Sequence, residues 1–347
     1  MAADLPRKRG IHLSVGDVDL LVDVRSEVWL PGSAPANISG MESLSRAALC
    51  AFALSLTPMS MAESPSSQVV GRSIACADYT AGKAFILSAD GKIEWEQPAP
   101  HCNDLWVLGN GNVLFSTGHG VKEVTRAGAT AFSYESKSEI YACQRLADGN
   151  TFVAECNAGR LLEIRPDGTF AKEFRLLPEG KDGGHTYIRN ARKLASGNYL
   201  VTHYGEGVVR EYDPAGKAVR DIPAEGGPHS AIRLPDGNTL IACGDRTKAA
   251  RVFEVDPGGK VVWEIGPNDL PGAPLKFMAG LHRLPNGNTL MSNWVGHGQF
   301  GTAPHLIEVT RDKKVVWTFA DHQRFRTIST VQLLGIPGDP IKGEILH

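Results

Sequence analysis

The heptapeptide Leu-Pro-Asp-Gly-Asn-Thr-Leu at 234–240 returns as Leu-Pro-Asn-Gly-Asn-Thr-Leu at 284–290. In both copies a Gly/Asn turn joins two short apolar runs, which is the strongest short-range sequence signal for a β-hairpin. The chain is therefore expected to be built on a repeated hairpin. Weaker copies are LGNGNVL at 108–114, LADGNTF at 146–152 and LASGNYL at 194–200.

A second phrase follows each hairpin and also reads as strand, tight turn and strand, as in VFEVDPGGKVVWEI at 252–265. The two phrases together supply four strands, and the units recur at spacings of 38 to 50 residues. Four-stranded units with this period are typical of a β-propeller. The other copies of the second phrase lie at 121–134, 161–174, 208–222 and 305–319.

The number of units follows from the two ends of the repeat. The second phrase occurs a sixth time at 84–96 without a hairpin before it, and the missing inner strand is predicted at 328–334. We therefore predict an all-β, six-bladed β-propeller of four-stranded antiparallel blades. Its ring is closed by strands from both termini, which leaves no open sheet edge.

The second strand of the closing blade has two candidate positions, 73–76 and 344–346. IACAD at 74–78 resembles IACGD at 241–245, which occupies the same place in another unit. The sequence therefore favours 73–76.

The N-terminal part reads as a targeting segment. An apolar stretch from Ala47 to Leu56 is too short to span a bilayer, and small residues follow at Ser60-Met61-Ala62. Residues 41–62 are therefore predicted to be a signal peptide cleaved after Ala62, and the protein to be periplasmic or secreted, with no transmembrane segment.

The domain boundaries follow from this signal. Translation is expected to start at Met41, so residues 1–40 are interpreted as an extension absent from the natural protein or as a disordered one. The alternative is a genuine N-terminal extension with a buried apolar segment. Residues 63–68 are predicted to be a linker and 69–347 the propeller.

Charge excludes some classes of partner. The chain has 36 Lys+Arg and 38 Asp+Glu, and cleavage after Ala62 leaves 31 basic and 32 acidic residues. The chain has no surplus of basic residues for binding nucleic acid and no polybasic run for binding a membrane surface. The expected partner is a small-molecule or carbohydrate ligand, and the expected state is a monomer.

Five cysteines follow the predicted cleavage site, and an odd number leaves at least one outside any intramolecular disulfide. Cys102 and Cys143 lie on consecutive predicted inner strands and can be near each other. No CxxC spacing indicates a metal site.

A propeller has two faces, and here their loops differ. The DGN and PxG turns form a tight-turn face, which is expected to carry little besides the turns themselves. The opposite loop face is built by long, irregular connections, where binding and catalysis are usually found. Two of these connections, at 266–277 and 293–304, flank the same blade and are predicted to form a lid.

His229 is the most informative polar residue of the loop face. It stands five residues before the hairpin leucine Leu234, at the predicted channel entrance. Asn103 and Arg189 occupy the same offset in other blades. Imidazole and guanidinium groups together suit the binding of an oxyanion, and histidine also acts as nucleophile, general acid or base, or metal ligand.

These positions define the candidate site. His229 is the expected nucleophile or base. The sequence contains no HxH or HxxH spacing, so any metal site has to combine residues of different blades. The further catalytic candidates are His101, Asp104, His185 and His282, and the substrate-binding candidates are Arg189, Arg192, His203, Arg246, Trp294, His297 and Arg326.

A resemblance supports this choice. The pattern His-x-x-x-x-Leu-Pro-(Asp/Asn)-Gly-Asn-Thr-Leu, followed by the phrase at 252–265, resembles the bacterial arylsulfotransferase-type six-bladed propellers. Those are periplasmic enzymes that pass a sulfuryl group through a channel histidine while other His and Arg side chains neutralise the sulfate. Only His229 maps onto that histidine, and Ser230 follows it where the family often has Asp.

The segment at 76–96 also resembles PQQ-like repeats. The other blades lack the Asp-x-x-Thr-Gly-Lys docking pattern of that family, so PQQ is not expected as a cofactor, while a divalent metal stays open. The segment at 278–299 resembles exported bacterial propellers without assigned activity.

Three functions follow as alternatives. The first is an enzyme acting on a sulfate ester or a uronate-type sugar, with sulfuryl transfer through His229 as its most specific form. The second is a non-catalytic exported propeller that binds carbohydrate or protein. The third is a metal-dependent lyase or hydrolase built on the same histidines.

Overall fold

A computed structural model describes residues 70–347. The predictions for residues 1–69, including the signal peptide, lie outside the described residues. Between residues 70 and 347 the chain forms 23 β-strands and one short 3-10 helix, Pro340–Lys342. The all-β prediction is confirmed, and in this part of the chain no helix is long and apolar enough to cross a membrane.

The strands pair in antiparallel fashion into four sheets of four strands and one sheet of seven. The first eleven are β1 (Ile74–Asp78), β2 (Lys83–Leu87), β3 (Ile93–Pro98), β4 (Leu105–Val107), β5 (Val113–Ser116), β6 (Gly118–Val124), β7 (Thr130–Arg145), β8 (Thr151–Glu155), β9 (Arg160–Ile164), β10 (Phe170–Arg175) and β11 (Asn190–Lys193). The others are β12 (Tyr199–His203), β13 (Val208–Tyr212), β14 (Ala218–Pro223), β15 (Pro228–Arg233), β16 (Thr239–Cys243), β17 (Arg251–Val255), β18 (Val261–Ile265), β19 (Met278–Arg283), β20 (Thr289–Asn293), β21 (Leu306–Val309), β22 (Val315–Phe319) and β23 (Ile328–Leu333).

The first sheet combines strands that are far apart in sequence. Its order is β23-β1-β2-β3, and Cys76 of β1 pairs with Val331 of β23. The inner strand predicted at 328–334 is confirmed, as is the choice of 73–76 over 344–346 for the strand beside it.

The seven-stranded sheet, in the order β10 to β4, occupies the place where two separate blades were expected. Its central strand β7 is 16 residues long. The part of β7 around Tyr134 pairs with β6, and the part around Cys143 pairs with β8. The two units merge because the chain stays extended between these parts instead of forming a loop.

The remaining sheets follow in chain order, β11 to β14, β15 to β18 and β19 to β22. Their first strands contact one another in succession, β7 with β11, β11 with β15, β15 with β19 and β19 with β23. The hydrophobic core lies between facing sheets, where side chains from neighbouring units interdigitate.

Positions that recur in each copy of the repeat phrase form hydrogen bonds between neighbouring sheets. The hairpin residue Asn238 donates from Nδ2 to Glu254 of β17 at 2.8 Å, and Arg283 of the next sheet donates to the same carboxylate at 3.1 Å. Each such carboxylate is thus satisfied by its own hairpin and by the neighbouring sheet. The same pattern joins Asn198, Glu211 and Arg233, at 2.6 and 2.7 Å.

All five cysteines between residues 70 and 347 are buried and free. Burial raises the pKa of Cys102 to about 12 and that of Cys156 to about 11. Cys102 and Cys143 are close enough to interact electrostatically, but they form no disulfide. These thiols therefore act as small apolar core groups.

Candidate functional site

Five aromatic side chains cluster at the loop face, one from strand β7 and four from connections next to strands of three other sheets. We call this group the aromatic cup. Adjacent rings are in contact: the ring centroid of Trp294 lies 6.0 Å from that of Tyr79 and 5.1 Å from that of Phe277. Phe277 is stacked on Tyr204 at 6.3 Å. Tyr141 completes the cup, since Tyr79 packs against the cluster that contains it.

Glycines make room for the rings of the cup. A Cβ atom on Gly296 would lie 2.0 Å from the indole of Trp294, and one on Gly244 would lie 2.5 Å from the ring of Phe277. Any larger residue at these two positions has to displace the aromatic side chain. The rings are therefore fixed by local sequence and not only by mutual packing.

Arg189 contacts two rings of the cup. Its guanidinium carbon is 4.6 Å from the ring centre of Tyr141 and 5.5 Å from that of Tyr204. The residue is only 9% exposed, and among residues 70–347 its guanidinium forms no ion pair and its Nε donates no hydrogen bond. A nearly buried cation with aromatic neighbours and no carboxylate has the chemistry to hold an anionic group from outside the chain.

His229 lies beside Arg189. Its Nδ1 is 3.2 Å from the carbonyl oxygen of Ala279, so Nδ1 carries the hydrogen, and Nε2 makes no hydrogen bond to any residue in the described part. Burial, followed by the charge of Arg189, lowers the pKa of His229 to about 3. The side chain is therefore a neutral imidazole near neutral pH, with its free lone pair on Nε2.

His185 occupies the edge of the cup next to Tyr141. Its Nδ1 lies 2.9 Å from both carboxylate oxygens of Glu139 and 3.1 Å from the hydroxyl of Tyr141. Because a carboxylate only accepts, Nδ1 carries the hydrogen and Nε2 is left as an acceptor. The side chain is 51% exposed, so Nε2 is open to a ligand.

Three more predicted residues form the rim of the cup. His101 makes an edge contact with Tyr79 at 5.0 Å between ring centroids, and His297 makes one with Trp294 at 4.9 Å. The guanidinium carbon of Arg246 lies 5.6 Å from the ring centre of Tyr204. All three are exposed, and the guanidinium of Arg246 adds a positive charge at the opening.

The two loops expected to form a lid do meet at the cup, through Phe277 and Trp294. Buried Asn293 ties them together. Its Oδ1 accepts from the amide of Lys276 at 2.8 Å, and its Nδ2 donates to the carbonyls of Pro274 and Pro304 at 3.1 and 3.0 Å. One fully satisfied amide side chain thus holds both loops.

Asp104 and Arg192 are placed apart from this cup. They form a buried two-fold hydrogen-bonded ion pair at 2.7 and 2.8 Å, and Arg192 also donates to the carbonyl of His347 at 2.9 Å. Burial raises the pKa of Asp104, against the opposing effect of Arg192. Each group satisfies the other, so neither is brought to His229.

His282 and His203 are buried in other surroundings. His282 accepts from the amide of Leu333 at 3.1 Å, and burial lowers its pKa to about 4. His203 pairs through Nε2 with the hydroxyl of Tyr212 at 2.8 Å, and burial again lowers the pKa to about 4. Both side chains serve packing and hydrogen bonding inside the sheets.

Arg326 is exposed at the edge of the first sheet. Its guanidinium carbon lies 5.1 Å from the ring centre of Phe300, and its amide donates to Asp78 at 2.6 Å. The same carboxylate accepts from the amide of Thr327 at 3.0 Å. Arg326 is thus placed beside the 293–304 loop, with no contact to the aromatic cup among those described.

Tyr79, Tyr141, Phe277 and Glu139 are site residues that were not predicted. A signal existed for Tyr141, which stands five residues before Leu146, the same offset that singled out His229. No comparable pattern marks Tyr79, Phe277 or Glu139, because they come from irregular connections and from the continuous strand β7.

The tight-turn face is less closed than expected. Two cavities of about 780 and 620 Å³ lie there, lined by hairpin residues such as Leu194 and Leu234 and by the segment 340–347. The expectation that this face carries only turns is wrong, because that segment crosses it and leaves space on both sides. Arg192 and His282 line these cavities, which separates them further from the cup.

No group of three or more His, Cys, Asp and Glu side chains in residues 70–347 is arranged to hold a metal ion. The histidine clusters there combine one histidine with one carboxylate, as in His185 and Glu139, two histidines, as in His305 and His322, or a histidine with aromatic rings.

A protein of unknown function from Bacteroides caccae has a similar crystal structure. It is 30% identical, the alignment covers 76% of this chain and 99% of that chain, and the TM-score is 0.68. This chain belongs to the same family as that protein. No family model and no curated protein matches the chain.

More distant structures share the fold alone. A streptogramin B lyase is 14% identical over 76% of this chain and 90% of that chain, with a TM-score of 0.52. The WD40 β-propeller domain of Doa1 is 11% identical over 73% of this chain and 81% of that chain, with a TM-score of 0.50. These neighbours confirm the β-propeller fold.

Proposed function

We propose that this protein binds a small acidic ligand in the aromatic cup, with Arg189 as the anchor for the anionic group. The observation that carries the proposal is the nearly buried guanidinium with no carboxylate partner among the described residues. Burying a charge without a partner is costly, and a bound carboxylate or sulfate removes that cost. The planar fork of Arg suits either group.

The rest of the ligand is expected to contain a ring. Tyr204, Phe277 and Trp294 offer adjacent aromatic faces at a half-open position, as sugar rings and aryl groups require. A sugar acid and an aryl sulfate both combine such a ring with an anionic group. Neutral sugars lack the group that Arg189 is placed to receive.

Direct binding tests this proposal. Glucuronate should quench or shift the fluorescence of Trp294 with saturable dependence, and glucose, its neutral counterpart, should bind at least about tenfold more weakly. Arg189→Met should abolish the preference for the acid. Arg126→Met, at an exposed turn of the other face, is the matched control. Equal affinity for glucose and glucuronate would refute the proposal.

A second candidate is sulfuryl transfer through His229. The neutral imidazole, with Nδ1–H bonded to Ala279 and Nε2 free, is in the state required of a nucleophile. Nε2 would attack the sulfur of an aryl sulfate, the bond from sulfur to the phenolic oxygen would break, and the sulfuryl group would pass to an acceptor hydroxyl. Arg189 would neutralise the charge of the group in transfer.

Turnover of p-nitrophenyl sulfate with a phenol as acceptor tests this second function. His229→Ala should abolish it. An inactive wild-type protein, or a fully active variant, would instead favour a binding propeller without this activity.

We further propose that the ring has six blades. The support is that β7 pairs with β6 through one part and with β8 through the other, so the seven-stranded sheet divides into two units of the expected size. The contacts of β23 with β19 on one side and β4 on the other fit a closed ring. An experimental structure tests the count.

Export is the remaining proposal, and it rests on residues 41–62 of the sequence. N-terminal sequencing of the protein from the periplasm or the medium should give a mature chain that starts at Glu63. A mature start upstream of Met41 would exclude the signal peptide.

A further inference from the structure

We propose that Glu139 and His185 form a general acid–base pair beside the anion anchor, and that the ligand is a 4-O-linked uronate sugar cleaved there by β-elimination. This inference rests on the proposed function, because Arg189 holds the carboxylate of the sugar.

The pair is arranged as a catalytic base requires. Glu139 receives the Nδ1 hydrogen of His185 at 2.9 Å, which fixes the ring orientation and stabilises the imidazolium form once Nε2 takes a proton. The backbone of Glu139 is held in turn, since its amide donates to Asn157 at 3.1 Å and its carbonyl accepts from Cys156 at 2.7 Å. These two hydrogen bonds fix the backbone that carries the Glu139 carboxylate.

Tyr141 connects this base to the anchor. One face of its ring carries the guanidinium of Arg189 at 4.6 Å, and its hydroxyl lies 3.1 Å from Nδ1 of His185. A carboxylate bound by Arg189 thus lies next to the imidazole. Burial raises the pKa of Tyr141, so its hydroxyl stays protonated and can donate to that carboxylate.

This set of groups matches one reaction class. Removal of the proton on the carbon next to a carboxylate places a second negative charge on the carboxylate group. Arg189 and the hydroxyl of Tyr141 are positioned to stabilise that charge, which is the largest energetic demand of the step. A neutral ligand, or an acid without such a proton, would not use this arrangement.

The step balances within the site. Nε2 of His185 takes the proton from C5 of the uronate, the electrons of the C5–H bond form the C4=C5 double bond, and the C4–O bond breaks. The new Nε2–H then protonates the departing oxygen, so the imidazole returns to its starting state. No oxidant, reductant or other co-reactant takes part.

One imidazole can perform both proton transfers only if the C5 hydrogen and the C4 oxygen lie on the same face of the sugar ring. Mannuronate meets this condition, and galacturonate does not, because its C4 oxygen is on the opposite face. The inference therefore specifies stereochemistry as well as class: β-1,4-linked mannuronate is a substrate, and α-1,4-linked galacturonate is not.

The experiment uses the full chain with trimannuronate and trigalacturonate. Ultraviolet absorbance of the unsaturated uronate product measures cleavage, and tryptophan fluorescence measures binding. Trimannuronate should be cleaved, and His185→Ala should lose at least about 100-fold in rate while still binding the trisaccharide. Glu139→Gln should keep binding and alter the pH profile of the rate, a change that a purely structural role would not give. His119→Ala, at an exposed position of β6, is the control and should match the wild type.

The outcomes separate the two proposals. Binding of trimannuronate without cleavage at any pH would overturn the acid–base pair and leave the anion anchor standing. Cleavage of trigalacturonate in place of trimannuronate would overturn the assignment of both proton transfers to His185. Failure to bind any acidic ligand would overturn this inference together with the proposed function.

Discussion

The guanidinium carbon of Arg189 lies 4.6 Å from the ring centre of Tyr141, which places a nearly buried positive charge against an aromatic face. The ring centre of a second aromatic residue, Tyr204, lies 5.5 Å from the same carbon. These contacts orient the charge but do not neutralise it. In the proposed function a bound anionic group supplies the missing compensation of this charge.

Arg189→Lys keeps the charge and loses the planar fork. We expect the affinity for glucuronate to fall about tenfold, because a two-point contact with the carboxylate becomes a single one. Isothermal calorimetry on the variant and the wild type measures this change. Unchanged affinity would show that Arg189 does not contact the carboxylate.

Gly296→Ala should impair ligand binding without touching the ligand. The added Cβ would lie 2.0 Å from the indole of Trp294, so the indole has to leave its position in the cup. Tryptophan emission should shift, and glucuronate affinity should fall. Gly109→Ala has open space around it and serves as the control, for which neither quantity should change.

Asn293→Ala should loosen both loops of the cup together. Its side chain forms hydrogen bonds with the backbone of Pro274 and Lys276 in one loop and of Pro304 in the other. These backbone groups lose their partner in the variant. Hydrogen exchange should rise in 266–277 and in 293–304 alike. Faster exchange in one loop only would show that Asn293 does not couple them.

Acid should destabilise the protein in a window set by buried histidines. Burial lowers the pKa from 6.5 to about 4 in His203, His282 and His305, and burial with the charge of Arg189 lowers it to about 3 in His229. In each case the unfolded chain takes up the proton first. Stability is therefore complete above about pH 6.5 and falls as the pH drops toward the folded values, by at most about 1.4 kcal/mol per pH unit for each histidine.

Urea unfolding at a series of pH values measures this loss. His203→Gln, which can still form a hydrogen bond with Tyr212, should reduce the slope of the unfolding free energy against pH by the equivalent of about one bound proton. His119→Gln, at an exposed position, should leave the slope unchanged. A stability that is flat down to about pH 5 would contradict the assignment of neutral buried imidazoles.

Glu254→Gln should destabilise the packed sheets by about 2 kcal/mol. The buried Glu254 carboxylate accepts hydrogen bonds from the side chains of Asn238, Arg283 and Arg311. Urea midpoints give the change. Glu173→Gln, on the outer strand β10 with partly exposed partners in Arg160 and Arg175, should cost no more than about 0.5 kcal/mol. Equal losses would mean that the contact between sheets adds nothing.

Much of the fold follows from the sequence because a tight turn is a local feature. The residues around Gly237 specify the hairpin by themselves, and their regular return identified even the strand pairing of 74–78 with 328–333. The merged seven-stranded sheet does not follow, since nothing in residues 136–139 distinguishes an extended connection from a loop.

The site was predictable only where it shares the repeat. Arg189 and His229 stand at a fixed offset from the hairpin leucine, so their proximity could be inferred. The pairing of Glu139 with His185 depends on two connections that have no periodicity. The separation of Asp104 from His229 depends on the choice of ion-pair partner, which packing decides.

The first sheet takes its innermost strand, β23, from residues that follow every other strand in the chain. During synthesis on the ribosome, β1 to β3 are therefore made before β23, their sheet partner, while all the other sheets can already form. Folding of this first sheet becomes the last step of the sequence of events, and a translation product that stops before residue 328 exposes the edge of β1 to other chains.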